Sequence, residues 1–383
     1  MEKNVDPRQQ EVRDLVKVFA KKEILPRSEE LDRMAEPRKF PRDVYGKLGE
    51  AGFIGYCMPK DLGGGGNSHL EFITLVEELC YYDAGVGLLC AVGELATQPI
   101  MNFANDELKK KYVPDCASGK RVPAFVLTEP NAGSDAANQS TEAVEDGDQF
   151  IINGEKIFIM HGDVAHVGVV FGKIQEEGVR DKVSAVIVPF DLPGVKSATL
   201  QHKMGMKYAT TARLWFENVK VPRKNLLGEP GKGFKYAMIT LDGARIGIAA
   251  QATGLAQRAL DESIKYSKAR IAFGSPISKL QAIQWMIADM STRIEAGRLL
   301  TYKAAQAQDA GERYSLFAAQ AKLFTAEMSN FCVDRAMQIH SGYGYIGEFS
   351  SIEKLYRDQR ITEIYEGTSE IQRLVIANSV LRG

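Results

Sequence analysis

Apolar residues recur every three or four positions early in the chain, as in Val12, Leu15, Val16 and Phe19, and similar patterns continue to about residue 120. This predicts an N-terminal helical region with glycine mainly between helices. The run Gly63–Gly66 has no strand-then-helix context and reads as a connection, not a phosphate cradle. From about 121 to 230 the texture changes to short β-rich runs, RVPAFVL, QFIING, VGVVFG, VSAVIVPF and ARLWFENVKV, separated by Gly, Pro, Asp and Asn. Asn153-Gly154 predicts a type I′ hairpin between QFII and EKIFI, because both turn positions need positive φ. That hairpin would put Phe158 and Met160 on the returning strand. After Gly233 helical periodicity returns near 234–268, 278–308 and 315–340, with a shorter segment near 368–381. Ile283, Met286, Ile287, Met290 and Ile294 form one apolar face suited to a bundle. Helices, strands, then helices make an α+β chain in three parts, 1–120, 121–230 and 231–383, and argue against a doubly wound nucleotide fold.

Length and charge narrow the function classes. A chain of 383 residues can bury a large core divided among subdomains. With 48 basic and 49 acidic residues and no basic tract, nucleic acid is not an expected partner, and any anionic ligand must be met locally. The five cysteines, Cys57, Cys80, Cys90, Cys116 and Cys332, are odd in number and lack CxxC spacing, which suits neither a disulfide framework nor a structural zinc site. The opening MEKNVDPRQQEVRD lacks the apolar core of a signal peptide, and no uninterrupted apolar run approaches about eighteen residues. The expectation is a cytoplasmic protein without a membrane partner.

Two strings carry candidate chemistry. In LTEPNAGSD, residues 127–135, Thr128 and Ser134 supply hydroxyls where a β-run ends, and Gly133 permits close backbone approach; such a loop suits a polar ring edge or a phosphate, or is an ordinary capped turn. In ITEIYEGTSEIQR, residues 361–373, Thr368 with Ser369 and Glu370 suits a helix start whose free N–H groups could meet a polar ligand. Glu366 precedes that helix, free to point into a cavity or into solvent.

These strings, with FIINGEKIFI, the K-M-G of 203–205 followed by LWFENVKVP, GEPGKGFKYAM, LDGARIGIAAQA, the Arg270-x-x-Phe273-Gly274 segment and QIHSGYGY, resemble the acyl-CoA dehydrogenase family over essentially the whole chain. The resemblance implies an N-terminal helical domain, a middle β-domain and a C-terminal four-helix bundle. It implies FAD between the β-domain and the bundle, completed by a neighbouring subunit of a homotetramer, a dimer of dimers. The cofactor contacts it implies are Thr128, Gly133, Ser134, Phe158, Met160, Phe273, Gln338, Gly342, Thr368 and Gln372, with Arg270 and Gln281 reaching the FAD of a partner subunit. Arg270, which on a helix would be a solvated charge, becomes a candidate for phosphate pairing. Glu366 matches the base that takes the α-proton of an acyl-CoA while the β-hydrogen leaves as hydride to flavin N5. The Glu366 N–H and a flavin ribityl hydroxyl would stabilise the enolate-like charge, and desolvation would strengthen the base. Ser134, Glu94, Arg245 and Gly367 are expected at the substrate, Arg245 either on the CoA side or in a structural ion pair.

Departures from the family pattern refine this. Some relatives place the base just before the arginine of the LDxxR stretch; that position is Ala244 here, which leaves Glu366. Met160 replaces a threonine whose hydroxyl approaches flavin N5, and a thioether donates no hydrogen bond, so an altered reduction potential or oxygen reactivity is expected. His161 stands alone without a second ligand motif and no metal is expected. Glu94 is either an exposed helix charge or a pocket carboxylate; in the pocket it would repel diacid thioesters, because residues 84–100 contain no Arg or Lys. The implied activity is α,β-dehydrogenation of a short, branched or alicyclic acyl-CoA, with electron-transfer flavoprotein as acceptor. A same-fold oxidase and a non-catalytic acyl-thioester-binding protein are the alternatives.

Overall fold

Polar side chains, Asp6, Ser68, Asp83 and Asn105, cap four of the six N-terminal helices. In the computed structural model, which describes residues 6–34 and 36–382, these are α1 (Pro7–Phe19), α2 (Ser28–Arg33), α3 (Arg42–Glu50), α4 (His69–Tyr82), α5 (Ala84–Phe103) and α6 (Asp106–Ala117). Asp6 accepts from the Arg8 N–H at 2.9 Å, and Ser68 with Glu71 forms a reciprocal capping box on α4. Val12 and Val16 are buried on α1, but Leu15 is half exposed. The Gly63–Gly66 run is a loop, packed back on residues 55–59 by backbone hydrogen bonds. α5 is the apolar centre: every residue from Ala84 to Ile100 except Ala91 is buried. It is long and apolar enough to cross a membrane, but 89% of its most apolar stretch is buried inside the protein, which identifies a core helix.

The middle of the chain is a seven-stranded mixed sheet of β1 (Pro123–Val126), β2 (Glu142–Asp146), β3 (Gln149–Met160), β4 (Val167–Gln175), β5 (Lys182–Pro189), β6 (Val195–Thr199) and β7 (Thr211–Pro222). One edge of β4 pairs with β5; the other pairs in parallel with β1 and then β2, and the sheet continues through β3 and β7 to β6. The expected Asn153-Gly154 hairpin does not form. β3 runs unbroken, paired with β2 on one side and β7 on the other, and the reversal falls at Asp146–Gln149, where Gly147 takes φ 63°. Gly147-Asp148 is the two-residue turn, with positive φ at the glycine alone, the arrangement of a type II′ hairpin and not of the expected type I′. Asn153 and Gly154 instead sit at a register shift between β3 and β7, where a Cβ on residue 154 would lie 2.4 Å from the Thr141 hydroxyl oxygen. Phe158 and Met160 therefore end the same strand, at a second shift between Lys156 and Ile159.

The last third contains α7 (Gly233–Ala269), the short ribbon β8 (Ile271–Ala272) and β9 (Ser275–Pro276), then α8 (Gln281–Asp309), α9 (Ser315–His340), α10 (Gly342–Tyr345), α11 (Ile352–Gln359) and α12 (Ser369–Arg382). α7, α8, α9 and α12 form the bundle, with α12 against α9. α8 starts at Gln281 and not at 278, because Pro276 leads into a single 3₁₀ turn over 277–279. Met290 and Ile294 of its apolar face are buried.

Buried carboxylates tie the three parts together. Glu77 on α4 accepts from Arg298 Nε at 2.9 Å and from the Tyr302 hydroxyl at 3.0 Å, both on α8, and pairs with Arg13 of α1. Burial alone would raise this carboxyl, but Arg298 and Arg13 hold it below the usual carboxylate range. Asp83 caps α5 and also receives the hydroxyls of Ser28 and Tyr208, with Lys354 of α11 at 3.3 Å. These ties give the loops at the site fixed walls.

Candidate active site

The segment between Arg360 and α12 is shaped by two successive left-handed residues, Glu366 with φ 53° and Gly367 with φ 91°. The turn directs both carbonyls into the bundle, where donors wait. The Glu366 carbonyl accepts from Arg245 Nε at 3.3 Å and Gln372 Nε2 at 3.2 Å; the Gly367 carbonyl accepts from Gln372 Nε2 at 2.8 Å and Lys322 Nζ at 2.7 Å. A side chain at 367 would meet Gln372 Nε2 at 2.6 Å, so glycine is required there on two counts. Arg245 is 5% exposed and paired with Asp242 at 2.6 Å, an ion pair of the kind that was one of its two expected roles. Thr368 starts α12, its hydroxyl accepting from the Ile371 N–H at 3.3 Å.

With its backbone held, Glu366 sends its carboxyl into a narrow cavity walled by Phe72 and Ile73 of α4, Leu88, Val92 and Leu95 of α5, and Ala244, Gly247 and Ile248 of α7. The carboxyl has no hydrogen bond or ion pair among the described residues. Desolvation raises it to about 7, against the pull of the Arg245 and Lys322 charges. Desolvation likewise lowers Lys322 to about 8, opposed by Glu366. The Glu366 N–H has no backbone partner and remains available to an oxygen. Glu94 also lines this cavity and is 5% exposed, so the exposed-helix-charge reading fails; burial raises its carboxyl.

The 127–135 loop is held from below by a buried ion pair. Lys156, fully buried on β3, gives its ammonium to Glu129 Oε1 at 2.9 Å, the Leu127 carbonyl at 2.9 Å and Gln139 Oε1 at 3.2 Å. Glu129 also accepts from the Ser140 and Thr141 N–H groups. The Ile157 N–H donates to the Thr128 carbonyl at 2.9 Å, which sets Thr128 beside Phe158. Phe158 is 65% exposed at φ 60°, an aromatic face without a covering partner. Gly133 opens onto free space and Ser134 is exposed. Met160 is half-buried, and its sulfur accepts from the Thr211 hydroxyl at 3.3 Å. Gln372 Oε1 and Ser369 Oγ are buried without partners. An uncovered aromatic, an open glycine loop and orphaned polar atoms suit a planar, polar-edged cofactor such as FAD.

A second group of expected residues lies elsewhere. Arg270 follows α7 as its C-cap and is not on the helix; with Gly342 it lines another cavity, its guanidinium 5.7 Å from the Tyr343 ring. Phe273 is 94% exposed with φ 50°, Gln281 is exposed at the start of α8, and Gln338 is exposed on α9. The chain alone does not bring these to Glu366. His161 is fully buried, its ring edge-on to Phe40 and Tyr45 at 5.3 and 5.6 Å, and burial lowers it to about 4. The five cysteines are unpaired.

Sequence reading missed Lys322, Gln98 and the Glu129–Lys156 pair. One signal was present: Lys322 falls among Ala318, Ala319, Ala321, Thr325 and Ala326, a small-residue face of α9 where a charge must find a buried partner.

Comparison with known proteins adds independent findings. The N-terminal domain of acyl-CoA dehydrogenase matches residues 6–120, the middle domain 124–219 and the C-terminal domain 231–381. The chain is similar to a probable acyl-CoA dehydrogenase of Bacillus subtilis, 44% identical over 98% of each chain. It is also similar to a 3-(aryl)acrylate reductase of Clostridium sporogenes, 42% identical over 97% of this chain and 98% of that one. Butyryl-CoA dehydrogenase from Megasphaera elsdenii superposes over all of both chains with a TM-score of 0.94 at 38% identity.

Proposed function

The chain belongs to the acyl-CoA dehydrogenase family of FAD-containing oxidoreductases, and from that premise we propose that Glu366 is the base in α,β-dehydrogenation of a short, branched or alicyclic acyl-CoA. The observation that carries this is the Glu366 carboxyl itself, unpaired in an apolar cavity and raised to about 7. A carboxylate desolvated in this way is a stronger base than one in water, and it titrates where it must work. The alternative position, Ala244, offers no base, and Glu94 has one oxygen engaged by Gln98 at 2.8 Å.

The α-hydrogen of a thioester is weakly acidic, so proton removal needs stabilisation of the charge that grows on the carbonyl oxygen. The Glu366 N–H, without a backbone partner among the described residues, would supply one donor. Arg245, Gln372 and Lys322 hold the two carbonyls that follow that N–H, those of Glu366 and Gly367, and so fix the turn. The apolar walls exclude water from the Cα–Cβ bond. Thr128, Phe158 and Met160 would hold FAD beside it, and Arg270, Phe273 and Gln281 would reach the FAD of a second copy in a homotetramer. Bound FAD supplies the acceptor for the β-hydride. Electron-transfer flavoprotein is the proposed onward acceptor.

The test is substitution Glu366→Gln, expected to retain yellow flavin while losing its bleaching by acyl-CoA under anaerobic conditions. Bleaching at the wild-type rate would assign the base elsewhere. The similarity to an acrylate reductase supports a second reading, in which the same groups run in reverse and Glu366 protonates Cα of an enoyl thioester. A group near 7 serves either direction. Steady-state rates in both directions, with electron-transfer flavoprotein as redox partner, separate the two.

A further inference from the structure

Oxidation between Cα and Cβ needs one carboxylate in an apolar slot, yet this cavity has a second carboxyl. Glu94 is hydrogen-bonded through Oε1 to Gln98 Nε2 at 2.8 Å, while its Oε2 has no partner among the described residues. Gln98 is 7% exposed, and Gln98, Gln308 and His69 line the same cavity. A Cβ built on Gly243 would be 3.3 Å from the Gln98 amide and 3.4 Å from Gln308 Nε2, so the two amides converge on one wall. His69 Nδ1 meets Asp309 at 3.0 Å, leaving Nε2 without a partner among the described residues. A cavity otherwise walled by aliphatic residues, Phe72, glycine and the Glu366 carboxyl thus carries a further polar patch with an unused carboxyl oxygen and unused amide hydrogens.

We propose that the acyl group carries a neutral hydroxyl, aliphatic or phenolic, that donates to Glu94 Oε2 and accepts from the Gln98 or Gln308 amide. This rests on the acyl-CoA dehydrogenase reading of the cavity and names its substrate class. A hydroxyl satisfies both halves of the patch, since it donates one hydrogen bond and accepts others. A substrate carboxylate would face Glu94 in a cavity lined by no Arg or Lys, and its one imidazole, His69, already meets the Asp309 carboxylate through Nδ1. A plain alkyl end would displace water from Oε2 and give no hydrogen bond in return. That asymmetry makes a site built for a polar group reject its apolar isostere, by about 10- to 100-fold in kcat/KM for one such contact.

The experiment compares isosteric pairs on the FAD-loaded enzyme: 4-hydroxybutyryl-CoA against pentanoyl-CoA, and 3-(4-hydroxyphenyl)propionyl-CoA against its 4-methylphenyl counterpart, with 4-aminobutyryl-CoA as the cationic probe. The wild type is expected to favour the hydroxyl member of at least one pair by about 10- to 100-fold. Glu94→Gln, which still accepts and donates, should keep the preference, and Glu94→Leu should abolish or invert it. Preference for the alkyl member of both pairs, preference for the ammonium, or an unchanged ratio in folded Glu94→Leu overturns the proposal while leaving the dehydrogenase reading intact. The wild-type comparison decides even where the leucine variant does not accumulate. Flavin bleached by none of these thioesters overturns the dehydrogenase reading, and this inference with it.

Discussion

Replacing Glu366 by glutamine should stabilise the protein by an amount that grows as pH rises from 4.5 and is complete above pH 7. The carboxyl titrates near 7 in the folded chain against an ordinary value of 4.5, mainly through desolvation. The native state therefore binds this proton more tightly than the unfolded state. Between pH 4.5 and 7 the unfolded chain releases it first, so stability falls as pH rises through that window. The difference between 7 and 4.5, at about 1.36 kcal/mol for each tenfold change, gives at most about 3 kcal/mol of destabilisation above pH 7 and none below 4.5. Glutamine keeps the volume and cannot ionise, so the variant should match wild type near pH 4 and exceed it near pH 8. For a chain of this length about 3 kcal/mol corresponds to roughly 4 °C in melting temperature. Melting of both FAD-loaded proteins by circular dichroism across pH 4 to 8 reads it directly. A difference that is flat with pH, or a variant less stable at pH 8, refutes the assignment of a desolvated carboxyl.

Three further outcomes are expected. Lys156→Met leaves the buried Glu129 carboxylate facing Leu127 and Gln139 without its cation, which should lower stability by about 3–5 kcal/mol and release flavin from the 127–135 loop. Denaturant unfolding and flavin content measure both, and the double variant Glu129→Gln, Lys156→Met should recover most of the stability. Lys322→Met removes a positive charge that favours the Glu366 carboxylate, so the rising limb of kcat/KM, set by Glu366 near 7, should move to higher pH. Lys322→Arg should leave the limb nearly in place, whereas an unmoved limb in the methionine variant removes Lys322 from any tuning role. Met160→Thr restores a hydroxyl donor at the end of β3 and should change the flavin midpoint potential in a reductive titration; an unchanged potential ends that argument.

Order and class of the elements were legible because periodicity and turn residues report local geometry. α9 occupies the 315–340 segment expected from its pattern, and helices flank the β-runs in the expected order. The Asn153-Gly154 hairpin failed for a non-local reason: β3 has partners on both edges, and only an unbroken strand satisfies both ladders. Glu94 was hard to place because helix α5 is buried on nearly every side, so no polar face exists to assign it to. Lys322 and the Glu129–Lys156 pair act through contacts between distant segments, and Gln98, one turn from Glu94 on α5, through a cavity wall it shares with Gln308. Their residue types, taken singly, look like ordinary surface polarity.

The backbone at the site was the least legible part, and it has the most to say about ligand binding. Phe158, His161, Phe273, Ser341 and Glu366 all have left-handed φ between 50° and 62°; all but His161, which stands where the chain departs from the family pattern, lie within a segment matching a family motif. A residue with a Cβ gives up roughly 1–2 kcal/mol in that conformation, so neighbours must hold it there. For Glu366 the holding groups are Arg245, Gln372 and Lys322 on the carbonyls of the turn; for Phe158 they are the register shift on one side and the Thr128–Ile157 hydrogen bond on the other. Phe158 and Phe273 are moreover 65% and 94% exposed, which adds uncovered apolar area to the strain. Neither feature benefits the isolated chain. Both are accounted for if a flat cofactor covers Phe158 and a second copy covers Phe273: strain fixed during folding then need not be imposed on binding, and affinity is lost to neither loop ordering nor rotation of the base.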